Sequence, residues 1–167
     1  ESPYKMQREW LDRLPFDIYS VNVHTGAKRL IGRSYRTAPK WSVNGKWAVM
    51  YDPIAQVWNK FDGATGKVVN ISDAIGYPMF MESYDKPAPA PAYGIAGWTA
   101  DGNNVFLYDA YDWWKIDLTG ERQPECLTKG YGRKHGKSIR KMTSNIDKDV
   151  FQKDEKVIVS LWDKDTM

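Results

Sequence analysis

The sequence predicts an all-β chain built from repeated antiparallel meanders, and three observations predict it. The first is composition. The 167 residues include eight Trp, ten Tyr, thirteen Gly and nine Pro, which suits many short strands joined by tight turns. The second is an internal echo. Trp41-Ser42-Val43-Asn44-Gly45 leads to Tyr51-Asp52, and Trp98-Thr99-Ala100-Asp101-Gly102 leads to Tyr108-Asp109, at a constant offset of 57 positions. Self-similarity at a fixed period is the mark of a repeat architecture. The third is a strand closed by a Thr-Gly turn, which occurs three times: Asp17–Val23 before Thr25-Gly26, Gln56–Asp62 before Thr65-Gly66, and Asp112–Leu118 before Thr119-Gly120.

The elements follow in order. The spacing of Met6, Trp10, Leu11 and Leu14 suits one face of a short helix and equally an outer strand. Asn44-Gly45 and Asp101-Gly102 supply the positive backbone angles of tight hairpins. Lys46 to Tyr51 then alternates Trp47, Val49 and Tyr51 against Lys46, Ala48 and Met50. Its counterpart, Val105 to Tyr108, is apolar throughout and reads as a strand buried on both faces. Each Thr-Gly turn runs on into a short apolar stretch: Arg29–Ile31, Val68–Ile71 or Glu125–Leu127. Strand, hairpin, strand, hairpin, strand, with room for a fourth, is the blade of a β-propeller. At the far end, Lys153-Asp154-Glu155 is read as a turn, Val157–Leu161 as a third inner strand, and Trp162-Asp163 as the echo of Tyr-Asp.

The predicted fold is therefore all-β, a partial β-propeller of roughly three blades of antiparallel meander, the first and last incomplete. One domain spans 1–167, with repeats near 16–52, 56–109 and 111–163. A Pro-rich insertion at 73–93 holds Pro78, Pro87, Pro89 and Pro91, and Ala88-Pro89-Ala90-Pro91 is expected to run extended over the surface. Open strand edges in such a part-propeller invite self-association.

Charge and composition narrow the partners. A formal net charge of +3 with interspersed acids and bases argues for neither nucleic acid nor a membrane surface. No apolar run reaches spanning length, so membrane insertion is not expected. The opening Glu1-Ser2-Pro3-Tyr4 reads as part of a longer protein. The single Cys126 excludes an internal disulfide and a cysteine-rich metal site.

No residue is assigned a catalytic, cofactor-binding or metal-binding role. A nucleophilic hydrolase needs a Ser or Cys with a base and an orienting acid, and no G-x-S-x-G elbow is present. His24 and His135 fall in expected turns, and Cys126 in a strand, where a small buried apolar role suits it. Gly130, Gly132 and Gly136-Lys137-Ser138 miss the phosphate-loop register, because the required glycine position holds Tyr131. Lys129, Arg133, Lys134, Lys137, Arg140 and Lys141 form a basic run read as a solvated loop, with Arg133 or Arg140 also open to pairing with aspartates between blades. Asp109, Asp112 and Asp117 lack the order of a calcium loop and are read as turn caps. Asn70-Ile71-Ser72 matches a glycosylation sequon that arises often by chance. Trp41, Trp58, Trp98, Trp113 and Trp114 recur at repeat positions, which favours packing between blades over a sugar-binding face. Trp113 and Trp114 must point to opposite faces of one strand.

Two sets of residues carry a family resemblance. Trp41-Ser42-Val43-Asn44-Gly45-Lys46, together with the Asp17-Ile18-Tyr19-Ser20-Val21 pattern ending in Thr25-Gly26, resembles the WD40-like repeats of TolB-type propellers. Asp85-Lys86-Pro87, Ala92–Thr99, Tyr108–Trp114 and Leu127–Arg133 together resemble the propeller of large bacterial prolyl-oligopeptidase-like serine peptidases, and Val157–Thr166 is similar to that family's next strand. The resemblance implies a non-catalytic propeller that gates and scaffolds a C-terminal α/β-hydrolase domain and admits peptide substrate. It implies a periplasmic or extracellular location, no cofactor, and a Ser-His-Asp triad outside this chain. The alternative is a TolB-like protein-binding propeller without an enzyme domain.

Overall fold

The computed structural model describes residues 4, 14–142 and 149–163. The Met6, Trp10 and Leu11 pattern lies outside the described residues, and Leu14 lies outside any helix or strand. The described residues are all-β apart from one short helix and a 3-10 turn.

A hairpin of β1 (Phe16–Val21) and β2 (Lys28–Tyr35) comes first. The second sheet is a four-stranded antiparallel meander in chain order: β3 (Lys40–Trp41), β4 (Trp47–Asp52), β5 (Val57–Asp62) and β6 (Val68–Asn70). The third repeats that order with β7 (Ile95–Thr99), β8 (Asn104–Tyr108), β9 (Trp113–Asp117) and β10 (Glu125–Cys126). Helix α1 (Tyr131–Lys134) leads to β11 (Lys137–Lys141). β12 (Val150–Phe151) returns to pair parallel with the free edge of β7. β13 (Val159–Asp163) pairs antiparallel with β11. Among the described residues no sheet closes on itself. Positions 52–56 and 109–111 lie at the turns from β4 to β5 and from β8 to β9.

The echo in the sequence is an echo in register. Trp41 pairs with Ala48, and Trp98 pairs with Val105. Ser42 Oγ accepts the Trp47 N–H at 3.1 Å, as Thr99 Oγ1 accepts the Asn104 N–H at 3.0 Å. Asn44 Oδ1 accepts the Lys46 N–H, as Asp101 Oδ1 accepts that of Asn103. Gly45 and Gly102 both take φ of 69°, which a side chain would resist. The two turns also touch: Asn44 Nδ2 donates to the Asp101 carbonyl at 2.9 Å. The Thr-Gly hairpins share one device as well. Asn22, Asp62 and Asp117 each accept the N–H groups that follow them in the turn, the local bonding that suits Asn and Asp to turns.

Three cores lie between the sheets, in chain order. Ile18 and Tyr35 of the first hairpin meet Ala48, Met50 and Phe61. Trp47, Val49, Tyr51 and Trp58 on the other face of that meander meet Trp98, Val105, Leu107, Trp114 and Ile116. Ala96, Phe106, Tyr108 and Trp113 then meet Ile139 and Phe151. Each four-stranded meander is thus covered on both faces. This explains why β8 is apolar without alternation, and it places Trp113 and Trp114 in different cores.

Four expectations need correction. Trp41 is 54% exposed, against 4% for its counterpart Trp98. Trp98 is covered by a four-stranded sheet, whereas Trp41 faces the two-stranded β1–β2 layer and meets Phe61 edge-on at 6.3 Å. The segment 73–93 does not simply lie on the surface: a 3-10 turn (Asp73–Ile75) and Met79 sink Ile75 and Met79 into the central core, and Ala90 is buried. The basic run is no loop, since it forms α1 and β11. The last inner strand starts at Val159 rather than Val157, and Ile158, Leu161 and Trp162 are exposed because no described element covers them.

Removing a fully buried side chain from the middle of this stack has a calculable cost. Leu107→Ala should lower unfolding free energy by about 2–5 kcal/mol in urea titration, by lost transfer energy plus the cavity left behind. Trp41→Ala should cost less than Trp98→Ala, despite their equivalent positions.

Candidate functional site

Two concave regions bring polar groups and apolar walls together. The first is built where β8 hands over to β9. Asp109, fully buried, turns back on its own loop: Oδ1 accepts the N–H groups of Tyr111 and Asp112, each at 2.6 Å. Its Oδ2 accepts Trp114 Nε1–H at 3.1 Å and an Arg133 Nη2–H at 3.0 Å. Asp112 reaches the other way. Its Oδ1 accepts the Thr128 hydroxyl at 2.6 Å and the Gly132 N–H at 2.9 Å, and its Oδ2 accepts the Arg133 N–H at 3.0 Å. Buried carboxylates need such partners to remain tolerable. Gly132 is required by space, since a Cβ there would stand 2.6 Å from the Lys137 carbonyl oxygen and 2.7 Å from that of Tyr111.

The two arginines of the basic run act differently. Arg133 forms the ion pair with Asp109 and lies 3.9 Å over the Tyr77 ring. Arg140 makes no ion pair there. It donates to the carbonyls of Asp109 at 2.8 Å and Ile139 at 2.7 Å, and sits 4.6 Å over Tyr108. Burial lowers the Arg140 pKa from its ordinary value, partly offset by Tyr108 and Asp109. A shallow cavity of about 400 Å³ beside this clasp is lined by Tyr77, Trp114, Cys126, Arg133 and Lys134. The carboxylates beneath it are fully engaged in holding turns, so the clasp is a structural joint.

The second region is a cleft of about 540 Å³ between β4 and the 73–93 segment. Pro39 fixes its own φ short of strand values, and β3 begins only after it. β3 pairs with Ala48 and Val49 alone, so β4 has no partner on that side from Met50 onward. The cleft occupies that gap. Val49, Met50, Trp58, Pro89, Pro91 and Ile95 form its apolar walls, and Arg36 and Lys40 stand in the lining with no acidic residue among them. The Tyr51 hydroxyl donates to the Ala90 carbonyl at 3.1 Å, tying strand to insertion. Burial, with the Asp52 carboxylate a smaller cause, pushes the Tyr51 phenol up to about 12. Trp58 Nε1–H is buried without a partner among the described residues.

The remaining residues singled out in the sequence are scattered. His24 lies in an exposed turn, and His135 follows α1 with its ring 4.4 Å from that of Tyr131. Neither is brought to a serine or cysteine. Cys126 is half-buried rather than buried, and its Sγ accepts the Gly130 N–H at 3.3 Å. Asn70 Oδ1 accepts the Ser72 and Asp73 N–H groups of its own turn. Among the described residues no three His, Cys, Asp or Glu side chains gather as for a metal, and no helix is long and apolar enough to cross a membrane. The sequence singles out Tyr51 and Trp58 only as repeat positions, and the cleft residues Arg36 and Lys40 by no motif. Their one sequence signal is Pro39, which stands where the second repeat has Ala96. No family model, curated protein or solved structure matches the chain.

Two outcomes follow from this geometry. Arg133→Met should destabilise by about 2–3 kcal/mol by leaving the Asp109 carboxylate buried without its cation, and adding Asp109→Asn should recover part of that loss in a double-mutant cycle. The raised Tyr51 pKa makes its contribution to stability complete below pH 10 and progressively lost as pH rises towards 12, because the unfolded chain ionises first. Denaturation midpoints across that window should fall less steeply in Tyr51→Phe than in the wild-type chain.

Proposed function

We propose that this chain is a non-catalytic, propeller-type segment of a secreted or periplasmic prolyl-oligopeptidase-like serine peptidase, scaffolding and gating a hydrolase domain that lies outside these residues. The supporting observation is the pair of four-stranded meanders whose equivalent turns meet through Asn44 and the Asp101 carbonyl. Successive repeats stacked face to face, each burying what its neighbour cannot, fit roughly three blades with incomplete first and last members. The stretches Ala92–Thr99 and Tyr108–Trp114, which carry the resemblance, lie at the centre of that stack. Fold alone does not assign chemistry, so the peptidase reading rests on the resemblance.

The cleft beside β4 favours one competing reading, a TolB-like binding propeller with no enzyme attached. The coding region around this chain separates the two. The peptidase reading expects an α/β-hydrolase segment with a G-x-S-x-G elbow downstream, and its absence overturns that reading. The purified chain should show no turnover of fluorogenic peptides; hydrolysis that a serine-directed phosphonate blocks would mean that the chain itself is catalytic.

A further inference from the structure

We propose that the cleft between β4 and the 73–93 segment binds the carboxyl-terminal residues of an apolar peptide in extended form. The inference goes beyond the proposed function and does not depend on it. Three features converge. The walls are apolar and the cleft volume, about 540 Å³, is that of a pocket for a few residues. Two cations, Arg36 and Lys40, line it with no acidic residue in the lining, and among the described residues neither side chain enters an ion pair or a hydrogen bond. A cation left without an anion favours a ligand that brings one.

The third feature selects a peptide over a free acyl carboxylate. The Trp47 carbonyl accepts the Ser42 N–H at 2.8 Å, and Val49 pairs with Lys40. Backbone groups alternate sides along a strand, so the N–H and C=O of Tyr51 face the same way as those of Trp47 and Val49. Beyond the end of β3 that direction is the cleft. One residue of an extended peptide satisfies both groups, as in strand addition to an open edge, whereas an alkyl chain satisfies neither. Trp58, buried beneath the cleft, adds an aromatic wall to the same lining. The peptide carboxylate would lie towards Arg36 and Lys40, with its side chains against Met50, Trp58, Pro89, Pro91 and Ile95.

Calorimetric titration of the full 167-residue chain tests this with three probes: acetyl-Leu-Val-Leu as the free acid, the same peptide as its amide, and octanoate. The expected result is saturable binding of the acid, about tenfold tighter than the amide, with octanoate weaker than the acid. Arg36→Gln combined with Lys40→Gln should bring the acid down to the level of the amide while the circular dichroism spectrum stays unchanged. Ala38→Trp, which fills the cleft from an exposed position, should abolish binding of both peptides with the same spectrum. Equal affinity for acid and amide, or no saturable heat with either, overturns the proposal. Octanoate binding as tightly as the peptide acid also overturns it and assigns the cleft to free acyl carboxylates.

Discussion

Val105 and Phe106 are adjacent in the chain and belong to different cores. The same is true of Ala48 and Val49, and of Trp113 and Trp114. Each four-stranded meander must bury both of its faces at once, and almost everything else in the molecule follows from that constraint. A sheet covered on one side only would expose half of these aromatic residues to water. Each meander therefore needs a neighbour before and after it, and the sheets stack in chain order. Where the neighbour is smaller, as for Trp41 beside the β1–β2 hairpin, exposure rises accordingly. Where no described element follows, β13 leaves Leu161 and Trp162 uncovered.

Stacking fixes the faces of the sheets, and polar joints fix their ends. Asp52 and Asp109 hold equivalent positions, and both accept the N–H groups two and three residues on. Only Asp109 is drawn further in: its carboxylate accepts from Trp114 and Arg133, which ties the turn after β8 to α1, and its carbonyl accepts from Arg140, which ties it to β11. A generic turn cap has thus become the joint between two sheets. The energetic asymmetry of buried charge explains why so many donors converge there: an isolated carboxylate in that position would cost several kcal/mol, and a fully bonded one is tolerated.

The parts of this structure that could be read from sequence are those set by local chemistry. The Asn-Gly and Thr-Gly turns, the two-sided burial of β8 and the opposed faces of Trp113 and Trp114 all follow from short-range rules of turn geometry and strand period. The sequence leaves Arg133 or Arg140 open to pairing with an aspartate, and Arg133 makes that pair; the run around it reads as a solvated loop because no flanking pattern marks a helix or strand. The exposure of Trp41 depends on how many strands lie opposite, which no local pattern records. The cleft is less visible still. Its residues come from the β2–β3 link, β4, β5 and the Pro-rich segment, and only the shortness of β3 brings them around one empty edge.

The parallel pairing of β12 with β7 distinguishes the two repeats in a further way. β12 can approach because Gly97 has no side chain: a Cβ there would stand 2.5 Å from the Phe151 ring and 2.7 Å from the Asp149 carbonyl oxygen. Counting back 57 positions from Gly97 gives Lys40, and from Ala96 gives Pro39. The first copy therefore carries a bulky cation and an N–H-less residue where the second admits a visiting strand. Two meanders of the same strand order thus differ at this edge: among the described residues β7 is paired with β12 and β3 has no such partner. The consequence is an unequal tolerance to change: a side chain at position 97 would drive β12 off the edge of β7, whereas position 40 already carries one with no strand beside it to displace.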